Sequence, residues 1–252
     1  MRLTVVGCAG SYPGPDSPAS CYLLEVDQGG RTWRVVLDLG SGALGALHRY
    51  VDPLLIDAVL ISHLHADHYF DLSGLYVMWK YHPAGARPPI PVWGPPGIGR
   101  QMARAYGLPA DPGMSAEFHF HSYDDQPVTL GPFTVRPSRV VHPVPAYGLR
   151  IEADGAVLAY SGDTGPCGQL VELAKDADLL LAEAAFREGV QNPADLHLTG
   201  ADAGRAATAA GVRRLVLTHV PPWYDGEAAV AEARTTYDGP LELATSGAVY
   251  EI

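Results

Sequence analysis

Cysteine is scarce in this sequence, with only Cys8, Cys21 and Cys167 among 252 residues. An odd and sparse set does not build a disulfide framework, so a reducing cytoplasm is the expected compartment. Long apolar runs are also lacking. The first residues, MRLTVVGCAG, hold too short an apolar run for a signal peptide, and no stretch approaches the roughly 20 apolar residues of a membrane span. We therefore expect a cytoplasmic protein with no membrane partner.

Positive charge is scarce as well. The chain has 17 Lys and Arg against 28 Asp and Glu, a net charge of −11. Proteins that grip a nucleic-acid backbone usually present a basic face, so strong nucleic-acid binding is not expected. Bound metal ions can still reverse the sign locally and let an acidic chain bind a phosphate. With 47% apolar and 18% charged residues, the composition is that of an ordinary globule that can bury a core.

Short β-branched runs recur along the chain and predict strands. They are LTVVG, CYLLEV, WRVVLDL, DAVLIS, IPVWG, FTVRPSRVV, AYGLRIEA, AVLAYSGD, DLLLAEA, RRLVLTH and GAVYEI. Helices are predicted at 42–50, 69–81, 97–107, 167–175, 199–211 and 227–234. This order fits a sandwich of two sheets covered by helices. The Pro-rich stretch 82–96 is the only candidate domain boundary, and it is short, so a single domain over 1–252 is expected.

The stretch HLHADH packs four metal-binding side chains into six positions: His63, His65, Asp67 and His68. It follows the predicted strand DAVLIS, and α/β folds present ligands at strand ends. Histidine and carboxylate suit Zn²⁺ and its divalent neighbours. A polar surface loop is the bland alternative, but nothing in packing favours four such residues at this spacing. They are too many for one tetrahedral ion that keeps an open position.

Three further candidates repeat the order of strand, ligand and loop. His142 follows an apolar run in VVHP, Asp163 lies in AYSGDTG, and His219 ends LVLTHV. Other histidines are interpreted as surface residues, and FHFHS alternates as an ordinary strand does. These are His48, His82, His119 and His121.

H-x-H-x-D-H is the signature of the metallo-β-lactamase fold superfamily of binuclear metallohydrolases, and HLHADH matches it position for position. The sequence resembles this family over nearly its whole length. The resemblance implies an α/β (α+β) fold, a four-layer αββα sandwich, with two divalent ions, zinc or manganese, at one sheet edge. It implies the following ligands: His63, His65 and His142 for the first metal, Asp67, His68 and His219 for the second, and Asp163 as the bridge between them.

Two ions with a bridging hydroxide would supply a nucleophile at neutral pH, because metal binding lowers the pKa of water from 15.7 to about 7. The same ions polarise a phosphoryl or carbonyl oxygen. Such a site hydrolyses an electrophile that abuts two metals, and both phosphodiesters and lactones qualify.

Several stretches look like the tRNase Z and phosphodiesterase branch of the superfamily: SPASCYLLE, VVLDLGSG, HPVPAYGLRI, AYSGDTGP, ADLLLAEAAF and HLTGADAGRAATAAGVRRLVLTH. In that branch an H-x-T motif at a helix start precedes the last metal-binding His by about twenty residues. His197 and Thr199 match this motif. Thr199 as N-cap with Asp202 at the third helical position comes close to a capping box. The resemblance implies that His197 contacts the scissile phosphate and helps the leaving group depart, that Glu183 orients it, and that Asp67 belongs to the catalytic set. A surface His197 and a solvated Glu183 are the alternatives.

The tRNA-processing enzymes of that branch carry a long exosite arm between the third His and the bridging Asp. Here His142 and Asp163 are 21 positions apart, with room only for two strands. The missing arm and the negative charge argue against tRNA 3′-processing. We expect a small phosphodiester substrate, with cAMP or another cyclic nucleotide as first choice.

Other functions fit less well. Class B β-lactamases use a Cys where Asp163 stands, and glyoxalase II needs a helical tail longer than the segment after His219. A lactonase or other ester hydrolase is the alternative enzyme, and a non-enzymatic metal-binding protein would be expected to lose part of the ligand set. The branch implies a homodimer. Asp38 is either a residue at a family position or an ordinary turn residue, and both interpretations stay open. Two roles also stay open for three aromatic residues, base stacking or loop anchoring: Tyr12, Tyr147 and Trp223.

Overall fold

The computed structural model describes residues 1–85, 87–124 and 126–252. In these ranges the chain forms two seven-stranded sheets packed face to face, with helices on both outer faces. The strands are β1 (Arg2–Gly7), β2 (Cys21–Gln28), β3 (Arg31–Leu37), β4 (Ala58–Leu60), β5 (Ile90–Gly94), β6 (Phe118–Ser122), β7 (Val128–Leu130), β8 (Phe133–Arg139), β9 (Tyr147–Ala153), β10 (Ala156–Tyr160), β11 (Leu179–Glu183), β12 (Leu215–Thr218), β13 (Leu241–Leu243) and β14 (Val249–Glu251). The helices are α1 (Ala43–Leu47), α2 (Ala66–Tyr69), α3 (Leu72–Tyr81), α4 (Ile98–Tyr106), α5 (Gly168–Ala174), α6 (Gly200–Ala210) and α7 (Gly226–Arg234), with a 3₁₀ turn at Pro53–Leu55.

The two sheets have matching topologies. The first runs β14-β1-β2-β3-β4-β5-β6, and the second runs β13-β12-β11-β10-β9-β8-β7. Each sheet contains an antiparallel part and a parallel part. The parallel part is β3 to β6 in the first sheet and β10 to β13 in the second. Parallel strands end at one edge, so the loops after β4, β10 and β12 emerge together.

Three apolar layers hold the sandwich together. Leu24, Leu37, Ile151 and Leu181 lie among the fully buried residues between the sheets. The outer face of the first sheet packs on α1, α3 and α4 through side chains such as Trp79. The outer face of the second sheet packs on α5, α6 and α7, and this layer is rich in alanine. Because alanine is small, these helices approach the sheet and one another closely.

The predicted αββα sandwich is confirmed, and each of the six predicted helical stretches contains a helix. Three details were wrong. The predicted helix at 69–81 is two helices, α2 and α3, broken where the Asp71 carboxylate accepts a hydrogen bond from Leu44 N at 2.9 Å. Strand WRVVLDL ends at Leu37, because Asp38 has a φ of +55°. The short edge strands β7 and β13 were not predicted.

Two histidines of β6 behave as the alternating pattern of FHFHS predicts. His119 and His121 are exposed, and the His121 ring stacks on Trp93 with centroids 4.5 Å apart.

Within the described ranges, no helix is long and apolar enough to cross a membrane.

Candidate metal centre

All seven predicted ligands lie just beyond strand ends, in loops or in a short helix. His63 and His65 lie in the loop after β4, and Asp67 and His68 lie in the short helix α2 that follows it. The second sheet contributes the other three, after β8, β10 and β12 respectively: His142, Asp163 and His219. The structure brings them together as two groups that share Asp163, with the ligand atoms of each group within 4.8 Å of one another.

The first group consists of His63, His65, His142 and Asp163. His65 Nδ1 lies 3.1 Å from both His63 Nε2 and His142 Nε2. The Nδ1 of His142 donates to the carbonyl oxygen of Leu196 at 2.9 Å, which directs its Nε2 into the group. Burial lowers the pKa of all three histidines, that of His142 to about 4. They are therefore neutral, the form in which imidazole binds a metal.

The second group consists of Asp67, His68, Asp163 and His219. His219 Nε2 lies 3.0 Å from His68 Nε2 and 3.1 Å from an oxygen of Asp67. Burial opposes ionisation of Asp67, but hydrogen bonds from His219 and His68 hold the pKa of this carboxyl below its usual range. Asp163 faces both groups, with Oδ2 3.6 Å from His63 Nε2 and Oδ1 3.2 Å from His68 Nε2.

These donors fit divalent ions. Ring nitrogens converge here at 3.0 to 3.1 Å, and the N–H of His142 is already used at the Leu196 carbonyl oxygen, so its Nε2 presents a free lone pair to the group. Ligand atoms around a tetrahedral Zn²⁺ lie about 3.3 Å apart, given bonds of about 2.0–2.1 Å. Among the described residues, the buried Asp163 Oδ1 has no hydrogen-bond partner, as expected of an oxygen reserved for a cation. The residue types and spacing suit zinc or a similar ion.

Asp38 holds the second group from behind. Its fully buried carboxylate accepts hydrogen bonds from His68 Nδ1 at 2.7 Å, Tyr160 OH at 2.6 Å, Ser62 N at 2.6 Å and Ser62 Oγ at 2.8 Å. This fixes the tautomer of His68 and points its Nε2 at the other ligands. Burial alone would lower the pKa of His68, but the carboxylates of Asp163 and Asp38 raise it well above its usual value. The surrounding carboxylates therefore favour a cation at this place, which a metal ion bound to a neutral His68 would supply, and Asp38 is neither a ligand nor an ordinary turn residue.

His219 sits in a strained backbone conformation and is covered by a glycine. Its φ is +58°, which costs a non-glycine residue on the order of 1–3 kcal/mol. Its N–H donates to the carbonyl oxygen of Cys8 at 3.0 Å. A Cβ at Gly10 would lie 2.1 Å from the carbonyl oxygen of His219 and 3.0 Å from its Nδ1. Only glycine fits there, and sequence reasoning missed this role of the CAG stretch.

His197 lies beside both groups and is held by Glu183. Its Nδ1 donates to Glu183 Oε1 at 2.9 Å, and its ring centroid lies 5.5 Å from that of His142 and 5.7 Å from that of His219. Glu183 is 1% exposed and also accepts from Thr164 N at 2.8 Å, so it is not a solvated carboxylate. Burial would lower the pKa of His197, but the Glu183 carboxylate raises it to about 9. The ring is thus charged at neutral pH, with Nε2 left for a ligand.

The capping box predicted at the start of α6 is confirmed. Thr199 Oγ1 accepts from Asp202 N at 3.1 Å, and the Asp202 carboxylate accepts from Thr199 N at 3.1 Å. The loop between Glu183 and this cap carries His197, so the cap helps to fix the position of that ring.

The three aromatic residues singled out in the sequence separate into two places. Tyr147 opens β9 and packs on the buried Tyr123, with ring centroids 5.0 Å apart. Tyr12 and Trp223 are exposed, on the loops that follow β1 and β12. Their rings lie next to each other, with centroids 5.2 Å apart.

Known proteins are similar to this chain in sequence and in fold. An uncharacterised protein of Mycobacterium tuberculosis is 46% identical over 257 residues, covering 100% of this chain and 92% of that protein. The probable metallo-hydrolase YhfI of Bacillus subtilis is 31% identical over 258 residues, covering 100% of both chains. The crystal structure of YhfI matches this chain with a TM-score of 0.87 and 30% identity, over 99% of each chain. Ribonuclease Z of Myxococcus xanthus is 29% identical over 309 residues, covering 100% of this chain and 98% of the ribonuclease.

A family model described as the β-lactamase superfamily domain matches residues 34–220, a range that contains all seven clustered His and Asp residues together with Glu183 and His197. The match and the relatives agree with the two-sheet sandwich and with a metal-dependent hydrolase. This chain belongs to the β-lactamase superfamily and is a metal-dependent hydrolase.

Proposed function

We propose that the protein is a phosphodiesterase that cleaves a small phosphodiester, with a cyclic nucleotide as the first candidate. The observation that carries the proposal is the pair of His197 and Glu183 beside the metal ligands, joined at 2.9 Å. A hydrolase needs such a proton donor when the leaving group is a poor one, as an alkoxide leaving a phosphodiester is. The centre would hold two divalent ions, zinc or manganese, through the seven clustered residues.

When bound, divalent ions supply a water of lowered pKa and polarise a phosphoryl oxygen. The chain's own residues do the rest. Asp67 stays ionised and faces the site, so it can orient the attacking water. His197 gives a proton from Nε2 to the leaving oxygen, while Glu183 holds the imidazolium in place and balances its charge. General acid catalysis of this kind contributes typically 10²–10⁴-fold to a rate.

A small substrate is favoured over tRNA by the segment between His142 and Asp163. It consists of the hairpin β9–β10, whose two-residue turn at Asp154 and Gly155 has φ values of +52° and +76°, as a tight type I′ turn requires. A tRNA-gripping arm has no place in this hairpin. The alignment with ribonuclease Z spans 309 positions, more than the 252 residues here, so that relative carries additional segments. The net charge of −11 also disfavours a polyanionic substrate.

The test is a comparison of substrates with protein reconstituted in zinc or manganese. Initial rates are measured on 3′,5′-cyclic nucleotides, bis(p-nitrophenyl) phosphate, homoserine lactones and a precursor tRNA. We expect cleavage of the cyclic nucleotides and of the activated diester, weak or absent lactone hydrolysis, and no tRNA processing. Lactone hydrolysis without phosphodiester cleavage would reverse the assignment in favour of the lactonase, and efficient 3′ cleavage of the tRNA would show that the arm is dispensable.

His197→Ala tests the mechanism, with the exposed His119→Ala as the matched control. We expect a loss of roughly 10²–10⁴-fold on a cyclic nucleotide and a smaller loss on bis(p-nitrophenyl) phosphate, because p-nitrophenolate leaves without a proton. Metal content should not change. Equal losses on the two substrates would mean that His197 binds phosphate and does not donate a proton, and loss of metal would make it a ligand.

A further inference from the structure

Two large aromatic side chains lie together in solvent near the metal centre. Tyr12 is 43% exposed and Trp223 is 58% exposed, and their ring centroids are 5.2 Å apart with an interplanar angle of 34°. Burying rings of this size is a major source of folding free energy, so an exposed pair forgoes stabilisation. Exposed aromatic groups beside a cleft are typical of ligand contacts.

The loops that carry the pair flank His219. The Tyr12 loop follows β1, and its Gly10 N–H donates to the carbonyl oxygen of Val220 at 3.2 Å. Gly10 also abuts the His219 ring, as described above. Trp223 is four positions after His219 on the other loop, where Pro222 faces Gly14. Both rings are therefore anchored within a few residues of a metal ligand.

A concave space adjoins the pair. A cavity of about 300 Å³ lies between the same two loops, and the Tyr224 ring on its wall is 6.1 Å from the Trp223 ring, centroid to centroid. Its other lining side chains include the apolar Ala9, Val220, Leu243 and Ala244 and the polar Asp16, Ser17 and Thr218. Tyr12 and Trp223 do not line the cavity themselves, but a flat group stacked on Trp223 could extend toward it past Tyr224.

Neither loop carries a positive charge. The stretches SYPGPDS and VPPWYDG contain aspartates but no Lys or Arg, so they are unsuited to a phosphate. The group they fit is uncharged and aromatic, such as a nucleobase. An anionic part of the same molecule would lie at the cationic metal centre instead.

We propose that Tyr12 and Trp223 form a stacking surface for the base of a nucleotide whose phosphate lies at the metal centre. This rests on the proposed phosphodiesterase function and narrows its substrate class to base-bearing phosphodiesters. Stacking on an aromatic side chain strengthens binding by roughly 5- to 150-fold per base and tolerates different bases, because every base has a π-face. The pair therefore selects for the presence of a base and not for its identity.

The test measures binding and not turnover. Metal-loaded protein is titrated with adenosine 5′-monophosphate and with ribose 5-phosphate, which lacks the base, and tryptophan fluorescence and calorimetry are recorded. We expect the nucleotide to quench Trp223 and to bind about 10-fold tighter than the sugar phosphate. Trp223→Ala should remove both the quenching and the difference in affinity, Trp223→Phe should restore most of the affinity, and Tyr12→Ala should give an intermediate loss. Ribose 5-phosphate affinity should be the same in every variant.

Tyr81→Ala, which removes a 66% exposed tyrosine at the end of α3, is the matched control and should change nothing. If Trp223→Ala weakens both ligands equally, the pair only supports the loops and the inference is wrong. If the wild type dimerises and Trp223→Ala does not, the pair is a subunit interface and the inference is again wrong. Adenosine 5′-monophosphate holds no diester, so a base-dependent affinity would stand even if cyclic nucleotides were not cleaved. Cleavage without base dependence would remove only the stacking surface.

Discussion

The two ligand groups share Asp163 but are supported differently. In the first group, the nitrogen of His142 that points away from the ligands meets a backbone carbonyl, and His65 and His142 are half-buried. In the second group, His68 is fixed by the fully buried carboxylate of Asp38, and the backbone of Gly10 packs directly against His219. One group is held mainly by neutral partners near solvent, and the other by charge in the interior.

This difference predicts a division of labour. The second group lies near Asp38, Asp67 and Asp163, whereas Asp163 is the only carboxylate among the ligands of the first group. A buried cation is stabilised by each nearby carboxylate, and a carboxylate behind a ligating histidine strengthens metal binding. We expect the ion in the second group to be the tighter one, and the ion in the first group to be the more exchangeable and the more accessible to substrate.

Asp163→Ala should have the largest effect because it removes what the groups share. Five histidine rings would face one another without the carboxylate that both groups use, so we expect loss of most bound metal and of nearly all activity. Metal content by elemental analysis and turnover on a small phosphodiester are the measurements. Asp238→Asn, at an exposed position, is the control. Retention of two ions by Asp163→Ala would show that the groups are independent sites.

Stepwise removal of metal comes next in size. A chelator titration of the loaded protein should release one ion well before the other, and His142→Ala should lack only the ion that leaves first. His142→Ala should lose most of its activity while the tight ion remains. Release of both ions in a single step, or loss of both in His142→Ala, would remove the proposed difference between the groups.

Asp38→Asn should act on the second group alone. It keeps the shape of the side chain and removes the charge that holds His68, so we expect the affinity for the tighter ion to fall about 10–100-fold. Competition with a chromophoric chelator measures this. Tyr160→Phe removes one hydrogen bond to Asp38 and keeps its charge, so its effect should be smaller. If Asp38→Asn weakens the exchangeable ion instead, the ranking of the groups is wrong.

Thr199→Ala should have the smallest effect, and that effect should fall on the first ligand group. It removes the cap of α6, next to the loop in which Leu196 holds His142, and caps are worth about 1 kcal/mol. For a chain of this size that corresponds to a fall of roughly 2–4 °C in Tm. Thermal unfolding with and without metal measures it, with the exposed Thr235→Ala as the reference. An unchanged Tm would mean that packing alone holds the start of α6.

The sequence was most informative where chemistry is local. HLHADH, the strand-then-ligand order at three other places and the capping box at Thr199 each depend on residues within a few positions of one another. Contacts between distant residues left no such pattern. Asp38 meets Tyr160 across 122 positions, and Gly10 makes room for a histidine that adopts an unexpected positive φ. The pairing of Tyr12 with Trp223 needed the fold, and the three-residue edge strands β7 and β13 are too short to show a period.

The origin of the ligands has a thermodynamic consequence. Each group takes residues from the loop or short helix after β4 in the first sheet and from loops of the second sheet, so an ion bound by either group would cross-link the two halves of the sandwich. An ion present at 1,000 times its Kd adds about 4.1 kcal/mol to the free energy of unfolding, provided the unfolded chain does not bind it. Metal supply would then set the fraction of chains that unfold, and with it their exposure to proteolysis, as well as the rate at which the folded ones turn over substrate.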